Sequence, residues 1–266
     1  VVMFDLQRQV VVKQRRPQNP EKPWPYDAEE VVVENPAAGV KLAGTLTKPR
    51  GSGPFPAVLL IGGSGSQNRD GEIAEHRPFL VLADQLTRHD IAVLRLDDRG
   101  VGGSTGSFAL ATLDDFAADA AAAVRFLAAR PEVDHARIGL VGHSEGGLVA
   151  PLVAAADPDV AFVVLLAAPG VPGDSLLMLQ GAAIMGVMGE PADMIGWNRR
   201  LQRVMFEQVK TAPDSASLRR QLSRVITVAL PMLPESRRGQ VNAQNLASQM
   251  DMMTTRWFRS FVSCDP

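Results

Sequence analysis

The chain has 266 residues, 46% hydrophobic and 21% charged, which is enough apolar content for one large domain or two modest ones. A net charge of −2, the lack of a long basic run and only 5% aromatic residues exclude the electrostatic footprint and the stacking platform of a nucleic-acid binder. The single cysteine, Cys264, excludes an intramolecular disulfide and any paired-cysteine metal or redox motif.

The chain opens VVMFDLQRQVVV, with no initiator methionine and none of the regions of a signal peptide, and it closes abruptly at SFVSCDP. We therefore expect a piece of a longer polypeptide. Residues 14–27, QRRPQNPEKPWPYD, hold four prolines with little apolar periodicity and read as an extended linker. The β-rich runs EEVVVEN and VKLAGTLTK then flank NPAAG, which is a hairpin signal.

From Ala57 the pattern becomes short apolar runs alternating with helical periods, the signature of a parallel sheet with crossover helices. The strand candidates are AVLLI (57–61), IAVLRL (91–96), RIGLV (137–141) and VAFVVLLA (160–167). Between the first two, Phe79, Leu82, Ala83 and Leu86 share one helical face. Thr112 to Arg130 predicts another helix, opened by Thr112 and Asp115 at capping-box spacing and turning Leu113, Phe116, Ala120, Val124 and Leu127 to the sheet. After AAPG (167–170) the strands stop. Helix-like text runs from Asp174 to about Trp257, with breaks at 189–191, 212–214 and 231–239. Nine of the ten methionines lie beyond Gly170, either filling an ordinary helical core or lining an apolar pocket. The longest apolar run of strand character, 160–168, is too short to span a bilayer.

Gly142-His143-Ser144-Glu145-Gly146 fits GxSxG and sits between a predicted strand and GLVAPLVAAA, a segment able to start a helix. Strand, tight turn and helix form the context a nucleophile elbow requires, so Ser144 is the candidate catalytic nucleophile. Acyl transfer also needs N–H donors aimed at the developing oxyanion. The first is the backbone N–H of Glu145, and the second is expected from the loop IGGSGSQNRD after AVLLI, with the N–H of Ser64 the best candidate. That loop has neither GxGxxG nor GK[ST], so it does not read as a nucleotide site.

The blocks IGGSGSQNRDGE, HRPFLVLADQLTRHDIAVLRLDDRGVGGSTG and GLVGHSEGGLVAP together resemble a bacterial branch of the α/β-hydrolase superfamily, of the serine aminopeptidase or prolyl oligopeptidase-like type. The resemblance runs from about Glu29 to the chain end. It implies an α/β fold with a mostly parallel sheet, a helical cap inserted after the sixth strand, and the last two strands absent from this chain. The expected organisation is an upstream segment and linker over 1–28, a hydrolase core over 29–170, a cap over 171–257 and the start of a return to the core over 258–266. The block Asp97 to Ser104 reads best as a structural turn buttressed by an Asp and Arg pair. An upstream domain and export are further implications.

A serine hydroxyl needs a base, and four histidines are available. His143 adjoins Ser144, where neighbouring side chains diverge, so it reads as packing. His89 and His135 read as solvated loop residues. His76 follows the oxyanion loop but precedes the nucleophile, against the superfamily order of Ser, then acid, then His. It reads better as a support for that loop. Asp251 and Asp265 follow no strand of the required kind. The triad acid and base are therefore expected beyond Pro266. The carboxylate of Glu145 is expected to serve the cap or the substrate.

These readings make the full protein a serine hydrolase of a small-molecule acyl ester, or less favourably of a short peptide, with no metal or other cofactor. The competing readings are a non-catalytic interaction module on the same fold and an acyltransferase using the same nucleophile. A metal hydrolase is disfavoured because HExxH and clustered ligand spacings are missing from the sequence. Oligomeric state is not legible.

Overall fold

The computed structural model describes residues 16–233 and 243–266. The opening VVMFDLQRQVVV, the first two residues of the proline-rich stretch and most of the predicted break at 231–239 lie outside the described residues. The chain divides into two compact units, one ending at Pro169 and the other beginning at Gly170.

The first unit is a six-stranded sheet in the order β1-β2-β4-β3-β5-β6. Its strands are β1 (Asp27–Asn35), β2 (Val40–Lys48), β3 (Phe55–Ile61), β4 (Ala92–Leu96), β5 (Val133–His143) and β6 (Val160–Leu166). The first two form the predicted antiparallel hairpin, paired from Asp27 with Lys48 to Asn35 with Val40. β2 runs antiparallel to β4, and β4, β3, β5 and β6 are mutually parallel. Because β4 and β5 lie on opposite sides of β3, strand order reverses there. Open α/β sheets bind ligands outside the carboxyl ends of the strands at such a switch point.

Near-continuous apolar runs in β3 and β4 follow from burial on both faces: Ala57 to Leu60 and Ala92 to Leu94 are all buried. Helix α1 (Pro78–Arg88) lays Phe79 and Ala83 against Val58, Leu60, Val93 and Val141, with Leu82 and Leu86 at the margin. Helices α2 (Leu113–Ala128) and α3 (Gly146–Ala156) pack on each other and on the sheet. The capping box predicted for α2 forms, with Thr112 Oγ1 accepting from the Asp115 N–H at 3.2 Å and the Asp115 carboxylate accepting from the Thr112 N–H at 2.9 Å. Two of the four N–H groups that a helix start leaves without partners are satisfied in this way. Ala120, Ala122 and Ala123 are buried, which lets α2 approach its neighbours closely.

The proline-rich stretch is tied to the core at its end. Tyr26 is buried and donates to the Asp84 carboxylate on α1 at 2.8 Å. His135 lies within β5 rather than in the loop before it, because that strand begins at Val133. β6 differs from its neighbours: it is the edge of the sheet, and Phe162, Val164, Leu165 and Leu166 are exposed on it. An apolar run of this kind normally occupies a strand covered on both faces.

The second unit is helical, with α4 (Gly173–Val187), α5 (Ala192–Thr211), α6 (Ser215–Ala229), α7 (Ala243–Met253) and α8 (Arg256–Ser263). The breaks predicted at 189–191 and 212–214 separate the first three helices. Asp214 caps α6 by accepting from the Ser217 N–H at 2.7 Å, and Thr255 caps α8 through Phe258 N–H at 3.1 Å. Met205, Phe206, Val209, Leu218, Leu222, Met253, Phe258 and Val262 form its core, with Met178, Met250 and Met252 against it. Several methionines thus do what methionine does in any irregular helical core. No described helix is long and apolar enough to cross a membrane.

A buried ion cluster joins three elements of the first unit. Asp119 on α2 accepts from the Arg99 guanidinium, at 2.9 Å through Nη2, and from Asn35 Nδ2 at the end of β1 at 2.7 Å. All three residues are buried. Removing one member leaves a desolvated partner uncompensated, so Asp119→Ala is expected to destabilise the unit by about 3 kcal/mol in urea titration. A small two-residue turn makes a second point. Ala74 and Glu75 both have positive φ, +47° and +65°, between the mutually hydrogen-bonded Ile73 and His76. A two-residue hairpin turn of this hand prefers Asn-Gly, so Glu75→Gly is expected to raise stability by about 0.5–1 kcal/mol in the same measurement.

Candidate active site

β5 ends at His143 and the chain turns sharply at Ser144, where φ is +52°. A left-handed serine costs about 1–2 kcal/mol and persists because its surroundings fix it. The Ser144 N–H donates to the Leu166 carbonyl at the end of β6 at 2.9 Å, and the Gly147 and Leu148 N–H groups close onto the Ser144 and Glu145 carbonyls at 2.8 Å to start α3. Glycine is required on both sides of the turn. A Cβ at Gly142 would strike the Gly146 carbonyl, and a Cβ at Gly146 would strike the Ile61 carbonyl at the end of β3.

That second contact brings the loop after β3 against the turn after β5. A Cβ on Gly63 would lie 3.2 Å from both Ser144 Cβ and His143 Nδ1. Ser64 follows, exposed, and among the described residues its N–H donates to no protein acceptor. The Gln67 side chain folds back over this run, with Nε2 3.4 Å from the Ser64 carbonyl and Oε1 facing Gly62. The backbone of Gln67 pairs twice with Asp98: its N–H donates to Asp98 Oδ2 at 2.8 Å and its carbonyl accepts from the Asp98 N–H at 3.1 Å. Two residues on, the Arg69 N–H donates to Asp97 Oδ1 at 2.8 Å and its guanidinium reaches Asp97 Oδ2 at 2.8 Å, Thr45 Oγ1 at 2.8 Å and Glu30. The Asp and Arg buttress expected inside 97–104 is thus divided. Asp97 pairs with Arg69 of the loop, and Arg99 pairs with Asp119 of α2. Sequence reading passed over Gln67 and Arg69 because each acts on a partner some 30 residues away; the run QNRD carries no periodic signal.

None of the four histidines is hydrogen-bonded to Ser144 among the described residues. His143 is exposed, and its ring meets Phe79 edge-on at 6.4 Å between centroids. His76 takes Gln18 as its partner, 3.2 Å from Nδ1. His89 bonds the Gln85 carbonyl at the end of α1. The Glu145 carboxylate is buried, 3% exposed for the residue, inside the first unit. It lines a cavity beneath the turn with Gly63, Asp98, Phe108, Phe116 and Val149. The start of α3 packs that side chain inward. No group of three or more acidic, histidine or cysteine side chains among the described residues could hold a metal ion.

A family model described as serine aminopeptidase, S33, matches residues 72–221, more than half of the chain. The chain belongs to this α/β-hydrolase family. It is 30% identical to esterase EstD of Thermotoga maritima over 226 residues, covering 79% of this chain and 51% of that protein. It is 35% identical to an uncharacterised Mycobacterium tuberculosis protein over 135 residues, 50% of this chain and 43% of the other. The chain thus spans about half the length of the curated relatives it matches. Among solved structures, hypothetical protein PA2218 of Pseudomonas aeruginosa aligns over 100% of this chain and 78% of its own, at TM-score 0.53 and 19% identity, a likeness in fold alone.

In this member of the serine aminopeptidase family, two adjacent carboxyls under the loop have opposite electrostatic fates. Burial alone would raise the Asp97 carboxyl, but the side-chain and backbone hydrogen bonds from Arg69 outweigh it and hold Asp97 below its ordinary value. Asp98 is raised from 3.8 to about 7, chiefly by burial. The Gln67 N–H works against that shift, while Glu145, Asp97 and Asp119 reinforce it. The native state therefore keeps a proton on Asp98 that the unfolded chain releases, from about pH 4 to about pH 7. Stability from this group is greatest at the acid end of that window and is lost as pH rises through it. The melting temperature is thus expected to fall from about pH 5 to about pH 8 by a larger amount in the parent than in Asp98→Asn, which cannot ionise, as read by thermal denaturation at both values.

Proposed function

We propose that the full-length protein is a serine hydrolase that cleaves a carboxylic ester of a small molecule through an acyl-enzyme on Ser144. The observation that carries this reading is a serine held at φ +52° between a parallel strand and a helix, with Gly63 of the preceding loop against its Cβ. Ser144 Oγ attacks the ester carbonyl while a base takes the hydroxyl proton, and the N–H groups of Ser64 and Glu145 receive the charge that develops on the carbonyl oxygen. The second donor stands at the start of α3, where the helix dipole adds partial positive charge. Collapse of the tetrahedral adduct expels the alcohol, which leaves with the proton from the base, and water then releases the acid by the same route.

The base and its orienting acid are assigned to residues outside these 266. Two observations support this: the four histidines bond elsewhere or not at all, and β6 leaves an apolar edge of the sort that another strand covers. Ester rather than amide is favoured because the Thermotoga maritima relative is named an esterase. The test is turnover of a panel of p-nitrophenyl esters and aminoacyl anilides by the full-length protein, with labelling by a fluorophosphonate. Ester hydrolysis is expected to fall at least about a thousandfold in Ser144→Ala, and labelling to vanish. A full-length protein that neither turns over any of these esters nor takes the label is no serine hydrolase.

A further inference from the structure

We propose that Asp98 is a positioning residue for acyl transfer, fixing the Ser64 N–H through the reciprocal backbone hydrogen bonds it makes with Gln67. This rests on the acyl-transfer reading above and deepens it. The loop after β3 carries the second donor on an exposed residue whose own contacts are slight: Ser64 has its carbonyl 3.4 Å from Gln67 Nε2. What holds Gln67 is the turn that follows β4. Its N–H and carbonyl are both taken by Asp98, at 2.8 and 3.1 Å, while its side chain lies over Gly62 and Gly63. The chain of contact from Asp98 to Ser64 therefore passes through one residue, Gln67, whose backbone meets Asp98 and whose side chain meets the Ser64 carbonyl.

Asp98 also lines the cavity beneath the turn, where Glu145 enters from the other donor's own residue. Its side chain thus bears on both arms of the proposed oxyanion site: the loop by the hydrogen bond from Gln67 N–H, and the α3 start by charge on Glu145. The charged groups that act on it are Glu145 from the start of α3, Asp97 beside it just after β4, and Asp119 from α2. Arg99 lines the same cavity but directs its guanidinium to Asp119 and Asp115. With three carboxylates acting on it and no salt bridge to a cation among the described residues, Asp98 holds Gln67 most firmly when ionised, and its neighbours resist that ionisation.

The measurement is steady-state hydrolysis of p-nitrophenyl acetate by the full-length protein as a function of pH, with inhibition by phenylboronic acid as a readout of tetrahedral-adduct binding. Asp98→Ala is expected to lower kcat about tenfold or more with KM nearly unchanged, and to weaken boronate inhibition in parallel. Asp98→Asn keeps an oxygen for the Gln67 N–H and is expected to recover much of kcat at low pH, while the acid limb of kcat falls from steeper than one proton to a single-proton slope. A folded Asp98→Ala with kcat and boronate affinity unchanged overturns the proposal, as does one that loses only KM. Should Asp98→Ala not fold, Asp98→Asn decides alone: a kcat profile with the parent's slope overturns it, and a single-proton slope supports it. A parent protein inert to both ester and fluorophosphonate removes the acyl-transfer reading and this inference with it, whereas an active parent with indifferent variants removes only the inference.

Discussion

The candidate site depends on one steric constraint, the contact of two backbone turns at the carboxyl ends of β3 and β5. Gly146 lies so close to the Ile61 and Gly62 carbonyls that no side chain fits between them, and a Cβ on Gly63 would crowd Ser144 Cβ at 3.2 Å. Neighbouring parallel strands in a twisted sheet bring their following loops together, but only glycine lets them touch. Everything else at the site, the left-handed serine, the start of α3 and the exposed Ser64, is arranged around that contact. The strain at Ser144 is offset by hydrogen bonds on both sides, from the Leu166 carbonyl of β6 and from the first turn of α3.

Charge beneath this contact is organised as unlike neighbours. Asp97 meets a guanidinium and backbone N–H groups, whereas Asp98 meets one N–H and several carboxylates. Both aspartates lie just past the end of β4, where Arg69 engages the carboxylate of Asp97 and the Gln67 N–H that of Asp98, so two aspartates in sequence reach two different environments. Such a separation of two acidic groups by environment alone is the pattern by which folds create groups that titrate near neutrality. Arg99 completes the arrangement by directing its guanidinium to the α2 carboxylates, and among the described residues no cation forms a salt bridge with Asp98.

Much of the fold was legible because it is written in local signals. The four parallel strands, the NPAAG hairpin, the Thr112 capping box and the helix breaks at 189–191 and 212–214 depend on residues within a turn or two of one another. The turn at Ser144 was legible for the same reason, since GxSxG and its flanking elements are contiguous. Partners across the fold were not. That Arg99 chooses Asp119 over its neighbouring aspartates, that Glu145 turns inward, and that Tyr26 at the end of a proline-rich stretch seeks Asp84 are outcomes of packing between elements 20 to 60 residues apart. The start of β5 at Val133, before the run RIGLV, was missed because VDHA alternates too weakly to read as a strand.

Arg69 carries a consequence of its own. Its guanidinium spans from Asp97 just after β4 to Thr45 on β2 and Glu30 on β1, so the loop beside Ser144 is moored to the antiparallel hairpin at the opposite edge of the sheet from β6. The hairpin is therefore part of the frame against which the loop is measured, as a bridge abutment is part of a span it does not cross. Shortening the chain to its parallel strands and crossover helices would keep every residue of the turn at Ser144, yet it would cut that mooring and leave the loop to find its own height above the sheet.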